Sequence, residues 1–155
     1  MTEIDLTHLR TAIRIAQHAR HHGNHPFGSL LVDENGDILL EAENTVNTDR
    51  DSTAHAETNL VRLASRKFSA DALSKCTLYS STEPCPMCAG AIFWSGIGRV
   101  VYALSEQGLY SLTNNSSDKL LLSCREVLGH GARPTKVIGP AIEDEARKVH
   151  EGFWE

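Results

Sequence analysis

The chain has 155 residues, the usual size of one domain, so a single domain over residues 1–155 is expected. Hydrophobic residues make up 41% of the sequence and charged residues 23%, which argues against a disordered or fibrous chain. The net charge is −5 and the longest basic cluster is Arg66-Lys67, so a small uncharged ligand is favoured over nucleic acid.

The first third of the sequence predicts a helix followed by a hairpin. Apolar residues recur at spacings of three and four from Leu6 to Ala16, which predicts an amphipathic helix that ends near Gly23. Residues 27–32 and 38–46 have strand character and flank the turn signal Asp33-Glu34-Asn35-Gly36. Two antiparallel strands are therefore expected here.

The middle of the sequence predicts two further helices with a strand between them. Residues 54–67 have helical spacing, and Ser52 or Thr53 is available as the N-cap. Residues 77–82 are rich in β-forming side chains. A third helix is predicted over residues 86–96, because proline favours a first helical turn and glycine favours a C-terminal end.

The last third predicts a strand over residues 100–103 and weaker elements after it. The alternation of strands and helices implies crossover connections and a partly parallel sheet, so the core is α/β. The later segments are a polar loop at 108–117, a helix at 118–128, an edge strand at 136–139 and a final helix at 142–153.

Targeting features are not evident in the sequence. No stretch approaches the roughly 18 consecutive apolar residues of a membrane span. The segment from Met1 to Arg14 has helical spacing and acidic residues rather than the pattern of a signal peptide. A cytoplasmic location with no membrane partner is expected, where cysteines are more often metal ligands or buried thiols than disulfides.

Three residues in two short motifs predict a zinc site. Zinc binds neutral imidazole nitrogen and thiolate sulfur, and a catalytic site supplies three protein ligands and leaves a fourth position for water. His55, Cys85 and Cys88 supply three such ligands. The Cys-x-x-Cys spacing at a helix start lets both sulfurs face one point, and the positive helix end favours the thiolate. One zinc ion per chain is expected.

The spacing between the motifs also predicts where the site lies. The segment from His55 to Cys85 has the length of one helix, one connection and one strand, so a crossover can return the chain beside its start. The ligand-bearing helix starts then lie at the carboxyl edge of the sheet, where ligands bind in open α/β sheets. Glu57 is two residues beyond His55, close enough to act as general acid and base on a zinc-bound water.

Two other interpretations of the motifs stay open. One is a closed structural zinc whose fourth ligand is Cys76 or another histidine. The other is a redox pair formed by Cys85 and Cys88. Both of these interpretations leave Glu57 without a role. If the site is instead the three-ligand zinc site, Cys76 and Cys124 are ordinary thiols.

A family resemblance rests on three stretches of the sequence. The combination His-x-Glu and Pro-Cys-x-x-Cys is the signature of zinc deaminases. Together with it, Pro26-Phe27-Gly28, residues 53–57 and residues 83–95 resemble the cytidine and deoxycytidylate deaminase superfamily. They are most similar to bacterial guanine deaminases, with fungal-type cytosine deaminases and tRNA adenosine deaminases as relatives. The resemblance covers the first helix through the strand at residues 100–103.

The resemblance implies a fold and an assembly. The expected fold is a three-layer α/β/α sandwich with a central five-stranded mixed sheet. The expected assembly is a homodimer with the third helix near the subunit contact.

The resemblance also implies substrate-binding residues. It places a base-binding asparagine at Asn44, although a turn asparagine is the alternative there. Phe27 would wall the ring pocket or join the core. Phe153 and Trp154 resemble the aromatic lid of free-base deaminases, although aromatic side chains also commonly anchor a terminal helix. Ala56 would offer its backbone N–H to a ring substituent.

Other polar residues near these motifs are assigned no role in catalysis. Glu83 beside the cysteine motif is expected to be a structural neighbour of the metal loop. Four histidines near the end of the first helix are expected to be exposed, without a second metal site: His18, His21, His22 and His25.

The function expected from these features is hydrolytic deamination of a free nucleobase or a related amino-heterocycle. Guanine is favoured, with xanthine and ammonia as products, and cytosine or a nucleoside is the alternative. A tRNA adenosine substrate is disfavoured, because the chain lacks the basic C-terminal helix that those enzymes use. The non-enzymatic alternative is an interaction module stabilised by a structural zinc.

Overall fold

The computed structural model describes residues 1–113 and 117–155. The strands in this part of the chain are β1 (Gly28–Val32), β2 (Ile38–Glu43), β3 (Thr77–Thr82), β4 (Arg99–Leu104) and β5 (Lys136–Ile138). The helices are α1 (Glu3–His21), α2 (Val46–Asp49), α3 (Ala56–Lys67), α4 (Ala70–Ser74), α5 (Pro86–Ser95), α6 (Glu106–Tyr110), α7 (Cys124–Gly129) and α8 (Glu143–Lys148).

The five strands form one mixed sheet in the order β2-β1-β3-β4-β5. β1 pairs antiparallel with both β2 and β3, so the predicted hairpin is confirmed. β3, β4 and β5 run parallel to one another, and Thr82 pairs with Leu104 at the carboxyl ends of β3 and β4. The predicted five-stranded mixed sheet is confirmed.

Helices cover both faces of this sheet. α1 and α8 pack on one face, whose buried core contains Leu9, Ala12, Ile15, Leu30, Val32, Tyr79, Val101, Ala103, Leu104 and Ala146. α3, α5 and α7 pack on the other face, whose core includes Leu31, Leu60, Leu78, Ile92, Val100, Cys124 and Leu128. The predicted three-layer α/β/α sandwich is confirmed. Across the described residues, every helix is too short or too polar to cross a bilayer.

The two helices that carry the motifs begin at the expected places, but one predicted cap is wrong. His55, rather than Ser52 or Thr53, is the N-cap residue of α3, and its side chain makes no capping hydrogen bond. Cys85 is the N-cap of α5, and the C-cap Gly96 has a φ of 89°, which suits glycine. Because neither cap side chain binds its own helix, both are available to the site.

The second half of the chain differs most from prediction. The predicted helix at 118–128 is wrong in its start: α7 begins only at Cys124, because Ser123 caps it through a hydrogen bond from the backbone N–H of Glu126. The predicted loop at 108–117 overlaps α6, which Ser105 caps in the same way. Residues 114–116 of that predicted loop lie outside the described residues.

The predicted final helix is shorter than expected. Its predicted inward residues Ala146 and Val149 are buried, but α8 ends at Lys148 and turns follow it. Gly152 in these turns has a φ of 72°, which a helix cannot continue through. The chain therefore folds back over the sheet edge at its C-terminal residues.

Candidate active site

His55, Cys85 and Cys88 bring their ligand atoms to one point at the carboxyl edge of the sheet. Nδ1 of His55 lies 3.5 Å from Sγ of Cys85 and 3.6 Å from Sγ of Cys88. Zinc bonds of about 2.3 Å to sulfur and about 2.0 Å to nitrogen, at tetrahedral angles, would place such atoms roughly 3.6 Å apart. The donor set and its spacing therefore fit a zinc ion.

Within the described part of the chain, no fourth histidine, cysteine or acidic ligand atom joins this cluster. Cys76, the fourth ligand of the structural-zinc alternative, instead packs in the core and donates from Sγ to the carbonyl oxygen of Ala72. The cluster thus has the three-ligand form of catalytic zinc sites rather than the closed form of structural ones.

The two thiols of the cluster differ in their protonation. Hydrogen bonding with Cys88, and then with His55, lowers the pKa of Cys85 to about 4 in spite of its burial. The pKa of Cys88 is raised, because this thiol donates to Cys85 and is fully buried. Thr58 Oγ1 also lies 3.2 Å from Sγ of Cys88. The site already favours one thiolate, the form that binds metal.

Glu57 lies in the first turn of α3 and its residue surface is only 6% exposed. The pKa of its carboxyl is raised to about 7. Burial is the largest cause, the nearby Cys85 acts in the same direction, and His55 opposes both. A carboxyl group with a pKa near neutrality can both accept and return a proton at physiological pH. The position predicted for the general acid and base therefore has suitable electrostatics.

A cavity of about 320 Å³ opens over the metal cluster and Glu57. Its lining residues are His25, Phe27, Asn44, His55, Glu57, Thr82, Glu83, Cys85, Leu109, Tyr110, Thr113, Asp118 and Trp154. Three of these residues are acidic, and none of the lining residues in the described chain is lysine or arginine. The cavity has the size of a small-molecule site.

Asn44 lines the cavity and also stabilises a turn. Its side-chain Oδ1 accepts a hydrogen bond from the backbone N–H of Val46, and its own backbone N–H donates to the carbonyl oxygen of Phe27. Among the described residues, none accepts a hydrogen bond from its side-chain Nδ2. Both interpretations of this asparagine therefore have structural support, and its amide nitrogen is left for a ligand.

The other predicted substrate-binding residues are placed unequally. Phe27 and Trp154 line the cavity. Phe153 is not among the lining residues. The guanidinium carbon of Arg20 lies over the Phe153 ring, 5.5 Å from the ring centre. Ala56 is buried as the first residue of α3, and its backbone N–H finds no acceptor within the described chain.

Glu83 has the structural position expected of it. Its Oε1 accepts a hydrogen bond from the backbone N–H of Glu106, and its Oε2 accepts one from the backbone N–H of Cys124. The side chain therefore ties the starts of α6 and α7 to the metal loop.

Several lining residues were missed by sequence analysis. Leu109, Tyr110, Thr113 and Asp118 come from a segment without a recognisable motif, so no local signal indicated them. His25 was expected to be exposed, but it is half-buried in the cavity wall. Burial, and then the nearby His55, lower the pKa of His25.

Comparison with known proteins gives one family and several relatives. Residues 2–104 match the cytidine and deoxycytidylate deaminase zinc-binding region. A probable cytosine deaminase of Schizosaccharomyces pombe is 50% identical over 157 residues, covering 100% of this chain and 95% of that protein. A tRNA-specific adenosine deaminase of Bacillus subtilis is 33% identical over 155 residues, covering 99% and 90%.

A guanine deaminase of Bacillus subtilis is similar in sequence and in structure. The sequences are 43% identical over 98 residues, which cover 63% of this chain and 62% of that protein. An X-ray structure of guanine deaminase from Bacillus subtilis superimposes with a TM-score of 0.65 at 29% identity, covering 99% of this chain and 96% of that one. The fold is therefore shared with a guanine deaminase, and the sequence relatives are named for different bases.

Proposed function

This chain belongs to the cytidine and deoxycytidylate deaminase family, and we propose that its substrate is a free nucleobase. As a zinc-dependent hydrolytic deaminase it replaces a ring amino group with an oxo group and releases ammonia. The choice of a free base over a nucleotide or a nucleic acid rests on the charge of the cavity.

The cavity wall has no positive side chain, within the described residues, that could pair with a phosphate. Glu57, Glu83 and Asp118 are all among its lining residues. A phosphate group would lie close to these acidic side chains and would be repelled, whereas an uncharged planar base would not. The net charge of −5 supports the same choice.

We assign the metal site to His55, Cys85 and Cys88, and the proton transfers to Glu57. Zinc held by these ligands would supply a Lewis acid that lowers the pKa of a water molecule to about 7. Glu57 accepts a proton from the attacking water and passes it to the ring nitrogen; it then carries the second proton of that water to the departing amino group, which leaves as ammonia. Its pKa near 7 and its burial beside the cluster support this assignment.

Binding of the base is assigned to two aromatic side chains and two hydrogen-bond donors. Phe27 and Trp154 offer aromatic surface to a planar ring, and Phe153 supports Trp154 through an edge contact at 4.8 Å between ring centres. The side-chain Nδ2 of Asn44 and the backbone N–H of Ala56 are donors without protein acceptors in the described chain, so they suit the acceptor groups of a base edge.

Two bases have specific support. The sequence motif favours guanine, and a guanine deaminase shares the fold over nearly the whole chain. The relative with 50% identity is named a probable cytosine deaminase, and its similarity extends through the segments that wall the cavity. Guanine and cytosine are therefore the first substrates to test.

Ammonia release from a panel of compounds tests the proposal. The panel contains guanine, cytosine, adenine, their nucleosides, amino-triazines, pterins and tRNA. Turnover of a free base at least as fast as that of its nucleoside is expected, because the cavity is small and Trp154 occupies part of its wall. Activity on tRNA alone would overturn the proposal.

We also propose a homodimer and a cytoplasmic location. Trp94 on α5 is 83% exposed, and an aromatic side chain this exposed is typical of a protein interface. A Trp94→Arg variant is expected to sediment as a monomer if α5 forms the contact.

The proposed cytoplasmic location rests on the four cysteines, which are all free thiols: Cys76, Cys85, Cys88 and Cys124.

A further inference from the structure

His25 holds a fixed position in the cavity wall between α1 and β1. Its ring meets the edges of Phe153 and Trp154, with ring centres 5.7 Å and 5.6 Å away. Its carbonyl oxygen accepts a hydrogen bond of 2.8 Å from the backbone N–H of Phe27, the next lining residue. His25 is therefore held both by a backbone hydrogen bond and by contacts of its ring.

The ring nitrogens of His25 make no hydrogen bond to any described residue. Two neighbouring histidines do use a ring nitrogen: His21 pairs with Gln17, and His22 pairs with Glu43. Burial lowers the pKa of His25 and so favours the neutral imidazole, which has one N–H donor and one nitrogen acceptor. A half-buried polar ring with both groups unused faces the space that a ligand would occupy.

Two other polar side chains of the cavity, those of Glu57 and Glu83, already have roles. Glu57 is assigned to proton transfer, and both carboxylate oxygens of Glu83 accept hydrogen bonds from backbone N–H groups. Phe27 and Trp154 provide stacking surface, which every base can use and which distinguishes bases weakly. Discrimination between bases requires hydrogen-bonding groups that are left unpaired by the wrong ligand.

We propose that His25 is a specificity-determining residue that hydrogen-bonds the polar edge of the bound base, with Phe153 and Trp154 fixing its ring. This inference rests on the proposed free-base substrate. The donor and acceptor nitrogens of a neutral imidazole point in diverging directions, so one of them can pair with a single polar group of the base edge, such as the ring N–H or the oxo group of an amino-oxo base. His25 thereby adds a substrate contact from the N-terminal part of the chain to those of Asn44 and Ala56.

Two substitutions at this position separate hydrogen bonding from packing. His25→Phe keeps an aromatic ring against Phe153 and Trp154 but removes both nitrogens. His25→Asn keeps a donor and an acceptor but removes the aromatic ring. The matched control is His21→Phe, the same change at an exposed position on α1 outside the cavity lining. Each protein is assayed on guanine and cytosine, and its zinc content is measured.

If His25 hydrogen-bonds the base, His25→Phe should raise KM for the preferred base about tenfold and change kcat less. A tenfold change is the effect of one lost hydrogen bond in a desolvated site. His25→Phe also narrows the ratio of kcat/KM between guanine and cytosine, while His25→Asn shows smaller changes. If His25 only supports the aromatic residues, the order reverses and His25→Asn is the more damaged variant, which overturns the inference. Equal kinetics for His25→Phe and His21→Phe would also overturn it.

Failure of the proposed function has a different signature. In that case the wild-type protein and His21→Phe, with full zinc content, release no ammonia from any free base, and the inference falls with the function. An active wild-type protein with an unaffected His25→Phe variant leaves the function standing and rejects only the role of His25.

Discussion

The indole Nε1 of Trp154 donates a hydrogen bond of 3.0 Å to Nδ1 of His150, and the two rings are within 18° of parallel. His150 is only 3% exposed, and burial, followed by the nearby Arg20, lowers its pKa to about 4. The neutral imidazole is the form that can accept at Nδ1. Arg20 donates to the carbonyl oxygens of Val149 and Glu151, so the segment carrying Trp154 is held at several points.

This contact predicts a loss of stability in mild acid. The unfolded chain binds a proton at His150 below its ordinary pKa of 6.5, whereas the folded chain does so only below about 4. The contribution is fully present above pH 6.5, declines as the pH falls towards 4, and then levels off, with a total loss of about 3 kcal/mol. The raised pKa of Glu57 acts in the opposite direction over this interval, so urea unfolding at pH 7 and pH 5 measures the His150 contribution as the difference between the wild-type protein and a variant without this histidine.

Between pH 7 and pH 5 the variant His150→Phe should lose less stability, or gain more, than the wild-type protein, because the group that disfavours folding in acid is gone. His130→Phe is the control, since His130 is exposed and its substitution should leave the wild-type dependence unchanged. An identical pH dependence in the wild-type protein and His150→Phe would contradict the assignment of this loss to His150.

The segments that carry the metal ligands could be predicted because their signals are local. Pro86 after Cys85 marks a helix start, and Gly96, with its φ of 89°, marks the end of that helix. The alternation of strands and helices around them was enough to indicate a partly parallel sheet and the edge at which His55 and Cys85 meet. At each of these positions the ligand chemistry and the predicted path of the chain indicate the same site.

The cavity wall could not be predicted in the same way because it is formed by contacts between distant segments. His25 follows a helix whose last turn is otherwise polar, and only the folded chain brings the C-terminal Trp154 against it. The start of α7 was misplaced for a related reason. Leu120, Leu121 and Leu122 lie in the predicted helix, but in the folded chain they are exposed and belong to no helix.

Removal of the carboxylate of Glu57 is expected to abolish most turnover without loss of metal. In Glu57→Gln the side chain keeps its size but can no longer accept a proton, so kcat should fall by roughly 10² to 10⁴. Steady-state ammonia release and elemental zinc analysis measure the two properties separately. Glu34→Gln, at an exposed position in the turn after β1, should retain wild-type kcat. Retention of full activity by Glu57→Gln would exclude it as the general base.

Zinc retention is expected to depend on Cys88 and not on Cys76. Both thiols are buried, but only Sγ of Cys88 lies within reach of His55 and Cys85. Cys88→Ser should therefore purify with little zinc and little activity, whereas Cys76→Ser should contain about one zinc per chain. A chelator should inactivate the wild-type protein, and added zinc should restore it. Equal zinc contents in the two variants would contradict the assigned ligands.

A buried ion pair between Asp5 and Arg99 is expected to be the most sensitive link between α1 and the sheet. Asp5 is 2% exposed and accepts hydrogen bonds from Arg99, from the hydroxyl of Tyr79 and from the backbone N–H of Thr2. Burial raises the pKa of Asp5, but these hydrogen bonds lower it by more, so the carboxylate is charged at all moderate pH values. Its contribution to stability is present above its ordinary pKa of 3.8 and is lost as the pH falls below it.

Arg99→Met should lower the free energy of unfolding by about 3 kcal/mol, because it leaves the buried charge of Asp5 without its cation. The double variant Asp5→Asn, Arg99→Met should recover part of that loss, since the charge is then absent as well. Urea unfolding at pH 7 measures both. Arg10→Met breaks an exposed pair between Arg10 on α1 and Glu145 on α8 and should change stability little, so a loss as large as that of Arg99→Met would show that burial is not the cause.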